Sequence, residues 1–257
     1  MSTPTSPAPR VALFATCLVD ALRPAIGFSA LELLEQAGCT VEIPPTQTCC
    51  GQPALNSGDQ AGAAALARRN IALLEGFDAI IIPSGSCAGT LRSHYPELFP
   101  PTSPWHARAQ SLAAKTFELL SYLHDIRHWR PQNLALPASC TYHDSCSGLR
   151  ELGVKHQPRA LLAGIAGLTL TEMPEAETCC GFGGTFCVKY PAISTAIVSE
   201  KTANIAATGA DLLLGGDLGC LMNMAGRLHR QGVPVRAFHA AELLAGRGHG
   251  PAIGEPE

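Results

Sequence analysis

Charge is scarce in this chain. Only 15% of its 257 residues are Asp, Glu, Lys or Arg, against about a quarter in an average globular protein. The net charge is −3, and no block of Lys or Arg occurs. That balance argues against nucleic acid or an anionic membrane as partner. No apolar run approaches the roughly 18 residues that span a bilayer. The opening stretch MSTPTSPAPR lacks the apolar core of a signal peptide, so a soluble, cytoplasmic protein is expected. No G-x-G-x-x-G opens a helix and no P-loop is present, which leaves no nicotinamide, flavin or ATP site. Also missing are CxxC knuckles and the C-x₂-C-x₂-C-x₃-C-P run of bacterial ferredoxins.

Cysteine is what the chain does have. There are 11, an odd number, too dilute for a disulfide-stapled scaffold, and in a reducing compartment they point to metal or redox chemistry. Two pairs are adjacent, in TCCGQP (48–53) and ETCCGFGG (177–184). Neighbouring cysteines bridge poorly, because a bond between them strains the planar peptide. Both are better placed to serve a third party. Around the first pair lie Cys17 and Cys87, and around the second Cys146 and Cys220. Cys17, Cys49, Cys50 and Cys87 recur as Cys146, Cys179, Cys180 and Cys220 at offsets of 129, 130, 130 and 133 residues. The flanks PPTQTCCG and MPEAETCCG match as well, so the chain contains an internal duplication. Cys39 and Cys140 have no counterpart and sit in strand-like runs, where packed core thiols are expected. Cys187, after GFGGTF, stays open between ligand and bystander.

RVALFATC (10–17) reads as a strand ending at Cys17, followed by a helix that Pro24 opens and Gly38 closes. CTVEIPP (39–45) is a second strand, 59–75 a helix, and FDAIIIPSGSC a third strand ending at Cys87. The order repeats: ASCTYHDSC ends at Cys146, QPRALLAGIAG is helical, LTLTEMP precedes the second pair, 190–207 is helical and ADLLLGGDLGC ends at Cys220. VPVRAFH and AAELLAG add a short strand and helix. The expected class is α/β: two tandem, pseudo-repeated, Rossmann-like βαβ units with parallel sheets. Residues 10–130 form the first repeat and 131–246 the second, with disordered tails at 1–9 and 247–257. Since parallel sheets bind ligands beyond the carboxyl ends of their strands, four thiols should converge at one sheet edge in each half.

Four thiolates suit a structural zinc or an iron–sulfur cluster. The lack of CxxC knuckles, and the glycines of PSGSCAGT, CCGFGGT and GGDLGC that let backbone amides approach sulfur, favour the cluster. Zinc and a metal-free vicinal dithiol remain the alternatives. No catalytic residue is assigned. His143 and Asp144, before Cys146, could relay protons or tune a cluster, or only close a strand end. Asp217 is a turn residue or a support behind Cys220. Lys189 is the positive charge nearest the second pair in sequence, and His94 and His124 are expected at the surface.

The C-x₃₁-CCG-x₃₅-C layout, with FATCLVD, IPSGSCAGT, YHDSC and CCGFGGTFCVKYP, resembles the cysteine-rich CCG domain family over residues 10–245. That family includes the B subunit of heterodisulfide reductase and the iron–sulfur subunits of glycolate and glycerol-3-phosphate oxidases. The resemblance is strongest to its lactate-utilization branch. It implies an iron–sulfur oxidoreductase subunit that passes electrons during lactate oxidation, with a ferredoxin-type subunit and a third subunit as partners. It also implies that the eight repeated cysteines bind the cofactor, up to one cluster per half. In the heterodisulfide-reductase type a fifth cysteine completes a CxxC and holds a non-cubane cluster; here those positions are Thr90 and Asn223. Four thiolates per half suit [4Fe–4S], unless Cys187 supplies a fifth in the second half. A thiol/disulfide redox catalyst is the alternative function, and a zinc-stabilised scaffold a further one.

Overall fold

A computed structural model describes residues 8–255. Short apolar runs form two four-stranded sheets in which every pairing is parallel. The first holds β1 (Arg10–Leu13), β2 (Thr40–Glu42), β3 (Ala79–Ile82) and β4 (Thr116–Glu118), in the order β2-β1-β3-β4. The second holds β5 (Ala135–His143), β6 (Ala166–Leu170), β7 (Leu212–Gly215) and β8 (Arg236–His239), in the order β6-β5-β7-β8. The architecture is α/β, with the two halves sharing one strand order. The central strands β3 (AIII) and β7 (LLLG) are buried along their whole length, as expected for parallel sheets covered by helices on both faces.

Helix ends follow the local chemistry. Pro24 opens the helix Pro24–Gln36, and Gly38, at a φ of 78°, ends that turn. Asp59 caps Gln60–Leu74 by accepting from the Gly62 N–H at 2.8 Å. The strands end before the cysteines, at Leu13 and His143, because Cys17 and Cys146 each begin a helix, Cys17–Leu22 and Cys146–Leu152. The strand β4 has no pattern of its own to announce it, being only TFE.

The largest hydrophobic core is common to both halves. It contains Leu13, Ile81 and Leu123 together with Tyr142, Leu214 and Phe238, and Cys39 and Cys140 lie within it. The expected N-terminal tail falls largely outside the described residues, whereas 247–255 is no loose tail. Ala252 and Ile253 are buried, the Ile253 N–H donates to the Ala237 carbonyl, and Glu255 pairs with Arg236 at 2.8 Å. Apolar burial and that ion pair hold the segment down. Among the described residues no helix is long and apolar enough to cross a membrane.

Candidate metal centres

In each sheet the strand order changes direction at the first strand, between β1 and β3 and between β5 and β7. The crevice beyond the carboxyl ends of such strands is where open parallel sheets bind ligands. The loops leaving β1, β2 and β3 bring Cys17, Cys49, Cys50 and Cys87 there, and the loops leaving β5, β6 and β7 bring Cys146, Cys179, Cys180 and Cys220. The thiols are within hydrogen-bonding reach in a chain: Cys17 to Cys49 to Cys50 to Cys87, and Cys146 to Cys179 to Cys180 to Cys220.

Backbone amides face the sulfurs in the same pattern on both sides. The Gly51 N–H donates to the Cys49 sulfur at 3.5 Å and the Gly181 N–H to the Cys179 sulfur at 3.3 Å. Leu18 and Gln52 serve Cys17 and Cys50, as Ser147 and Phe182 serve Cys146 and Cys180. Gly51 and Gly181 take φ values of 92° and 81°, a conformation that presents the amide and that a side chain would resist.

Charge gathers on the middle thiol. Cys49 is driven down by the thiol of Cys17, then by that of Cys50, and Cys179 likewise by Cys146 and then Cys180. Cys17 and Cys146 go up, first through the neighbouring thiol of Cys49 or Cys179 and then through burial. Cys50 and Cys180 go up through the thiols on both sides of them, Cys49 and Cys87 or Cys179 and Cys220, and then through burial. One anion therefore forms readily in each set, and further thiolates need a positive partner, which a metal supplies. Cys17 and Cys179 are exposed while Cys50, Cys87, Cys180 and Cys220 are buried, so each set has one face toward solvent. Four soft donors with amide support suit a thiophilic metal or an iron–sulfur group.

The surroundings of the two sets differ. Behind the first pair, the Tyr95 hydroxyl donates to the Cys50 carbonyl at 2.8 Å and accepts from Asn70 at 2.9 Å. Behind the second, Asn223 donates to the Cys180 carbonyl at 2.8 Å, and the fully buried Lys201 donates to the carbonyls of Glu175 and Ala176. The cation closest in effect to Cys180, Cys220 and Cys179 is thus Lys201. Lys189 instead reaches across to Ser57, at 3.0 Å. Sequence reasoning missed Lys201, although its spacing with the buried Val198, Thr202 and Ile205 on Pro191–Ala207 marks it as inward-facing.

His143 ends β5 and is buried; burial pushes its imidazole down to about 3, so the ring is neutral. Neither ring nitrogen has a hydrogen-bond partner. A ring nitrogen lies within 4.8 Å of the sulfurs of Cys180 and Cys220, which are within that distance of each other. Asp144 turns away into a buried two-point ion pair with Arg159, at 2.8 and 2.9 Å.

Asp217 ties the halves together. One carboxylate oxygen accepts from the Ser84 hydroxyl at 2.9 Å and from the Ser86 amide and hydroxyl at 3.0 and 2.6 Å, and the other caps Cys220. The first set opens into a cavity of about 160 Å³ whose far wall is second-half chain, Phe182, Thr185 and Leu218. Cys187 is half-buried and points to the Gly184 carbonyl at 3.7 Å, outside both sets. His124 is not the surface group expected: its side chain is 15% exposed and packs against His156 and Asp125.

Geometry and sequence agree with the comparisons. The chain belongs to the cysteine-rich CCG domain family, which matches residues 11–92 and 140–225. Over 238 residues it is 46% identical to Lactate utilization protein A of an Exiguobacterium species, covering 92% of this chain and 97% of that protein. The proteins of the same name from Bacillus cytotoxicus and a Geobacillus species are 44% and 45% identical, covering 93% of this chain and 99% and 100% of theirs. A hypothetical protein from Helicobacter pylori shares the fold at a TM-score of 0.66 and 14% identity, over 98% of this chain and 50% of its own length.

Proposed function

We propose that this protein is an iron–sulfur oxidoreductase subunit that carries electrons in lactate utilisation. Cys17, Cys49, Cys50 and Cys87 hold one cluster and Cys146, Cys179, Cys180 and Cys220 a second, each a [4Fe–4S] group. The observation that carries this reading is the twofold convergence of four thiols, with amides on their sulfurs, at the switch point of each sheet. An iron–sulfur group supplies one-electron transfer when bound; the chain supplies the thiolates, the amides that spread the charge and one solvent-facing edge per site. Oxidising lactate to a 2-oxo acid releases two electrons and two protons, and no flavin or nicotinamide motif is present to take the electrons together. On this reading oxidation itself belongs to partners, a ferredoxin-type iron–sulfur subunit and a third subunit, working with this chain.

Protein made without oxygen should be brown and contain iron with acid-labile sulfide. Cys50→Ser and Cys180→Ser should each lose about half of the iron, since a hydroxyl is a poor replacement for a thiolate ligand. Cys39→Ser and Cys140→Ser should keep it and lose ~1–3 kcal/mol of stability by burying a hydroxyl. The preparation should not reduce dyes with lactate until its partners are added. Stoichiometric zinc without sulfide, or equal iron loss from both classes of cysteine variant, would overturn the assignment.

A further inference from the structure

We propose that His143 is a fifth ligand of the second metal centre, binding through a ring nitrogen beside Cys180 and Cys220. This rests on the iron–sulfur reading above, replaces the four-donor set given there for the second centre with a five-donor one, and makes the two centres chemically different.

A buried imidazole almost always has partners for its nitrogens, because leaving them bare costs free energy with no return. His143 is 1% exposed and has none. Its ring faces the two deepest thiols of the second set, with one nitrogen within 4.8 Å of both sulfurs. Once they hold a metal, those sulfurs are thiolates, which accept a hydrogen bond but have no proton to offer a ring lone pair. That lone pair needs another donor or the metal ion. The buried lysine nearby, Lys201, directs two of its N–H groups to the carbonyls of Glu175 and Ala176. Asn223, where a fifth cysteine would stand, is bound to the Cys180 carbonyl. Cys187 points elsewhere. Among the described residues His143 is therefore the side chain left to complete a five-donor set. Bond formation moves no proton: a neutral imidazole keeps its hydrogen on one nitrogen and gives the lone pair of the other.

The first half lacks the equivalent. Its duplicate of His143 is Phe14, three residues before Cys17 as His143 is three before Cys146, and Phe14 is buried among apolar side chains. A phenyl ring cannot ligate. Substituting it at 143 therefore tests ligation with a side chain that the same strand end already accommodates in the other repeat.

The experiment is pulsed electron paramagnetic resonance on the reduced protein, prepared without oxygen and analysed for iron and sulfide in the same tube. Wild type should show one cluster with a strongly coupled nitrogen and one without. Growth on ¹⁵N-histidine should convert that coupling to the ¹⁵N pattern, an assignment that needs no variant to fold. His143→Phe should abolish it while leaving the spectrum of the other cluster unchanged. His143→Cys should keep the iron and also lose the nitrogen coupling. Iron-replete wild type with only the weak coupling of hydrogen-bonded amides, or coupling undiminished in His143→Phe, overturns the proposal. Wild type without iron and sulfide overturns the reading beneath it, and this one with it.

Discussion

At the scale of single residues, the positions that most shape this protein are buried polar groups. Glu118 ends β4, and one of its oxygens accepts from the Ser121 N–H at 2.9 Å while the other has no partner. Burial raises its carboxyl from the ordinary 4.5 to about 7. An unfolded chain releases that proton near the ordinary value, and the native state holds it to about 7. The native advantage is complete below the unfolded pKa and is lost as pH rises through the folded one, a change on the order of 3 kcal/mol. Glu118→Gln keeps an acceptor for Ser121 without the charge. Urea unfolding at pH 5 and pH 8 should show wild type losing stability across that interval by more than the variant, and the variant should be the more stable at pH 8. Equal pH dependence in both would sink the assignment. The eight repeated cysteines were legible in sequence because duplication marks them twice. His143, Lys201 and Glu118 were not so marked, since their importance comes from burial without full hydrogen bonding, which only three-dimensional packing creates. His143 is visible in the sequence as a histidine near Cys146, but that both of its ring nitrogens are bare is a property of the packing alone.

At the scale of elements, the strand-and-loop order could be read from the chain and the contact between repeats could not. Apolar runs located the loops that carry the repeated cysteines. No periodicity announces that the helix Gly85–Gly89, carrying Cys87, packs against Cys146–Leu152. The two approach through glycine: a Cβ on Gly85 would lie 2.5 Å from the Ser145 hydroxyl oxygen and 3.0 Å from the Gly148 Cα. The backbone atom cannot rotate away, so the helices must part. Because each carries a thiol of a different set, Gly85→Ala should disturb both centres at once. Overpacking of this kind costs ~1–3 kcal/mol. The urea midpoint and the iron-to-protein ratio should both fall, while Gly76→Ala, where a Cβ meets nothing within 4 Å, should change neither. Matching behaviour of the two variants would show that the close contact does not couple the sites. Asp217, joining Ser84 and Ser86 of one repeat to Cys220 of the other, makes the same link through hydrogen bonds.

At the scale of the whole molecule, the question is whether two repeats make two domains. Their sheets are separate, yet the main core draws side chains from both, from Leu13 and Ile81 to Tyr142 and Phe238. The helix Pro24–Gln36 lies against Ala240–Leu244, and Arg23 pairs with Glu242 at 2.9 Å with both side chains mostly buried. Arg247, in the stretch expected to be a loose tail, holds Glu32 of the first repeat at 2.7 Å. A sheet buries one face poorly by itself, and a shared core means that neither repeat can shed the other without exposing apolar surface at about 25 cal/mol per Å². We therefore expect one cooperative unfolding unit. Native-state hydrogen exchange in increasing urea should show the amides of β3 and β7 merging onto the same global isotherm, with a slope appropriate to the full chain. If β7 opened at a free energy well below β3, with a slope near half the total, the repeats would be independent domains. The first centre, walled by Phe182 and Thr185 of the second repeat, would then lose one side of its cavity each time the second repeat opened.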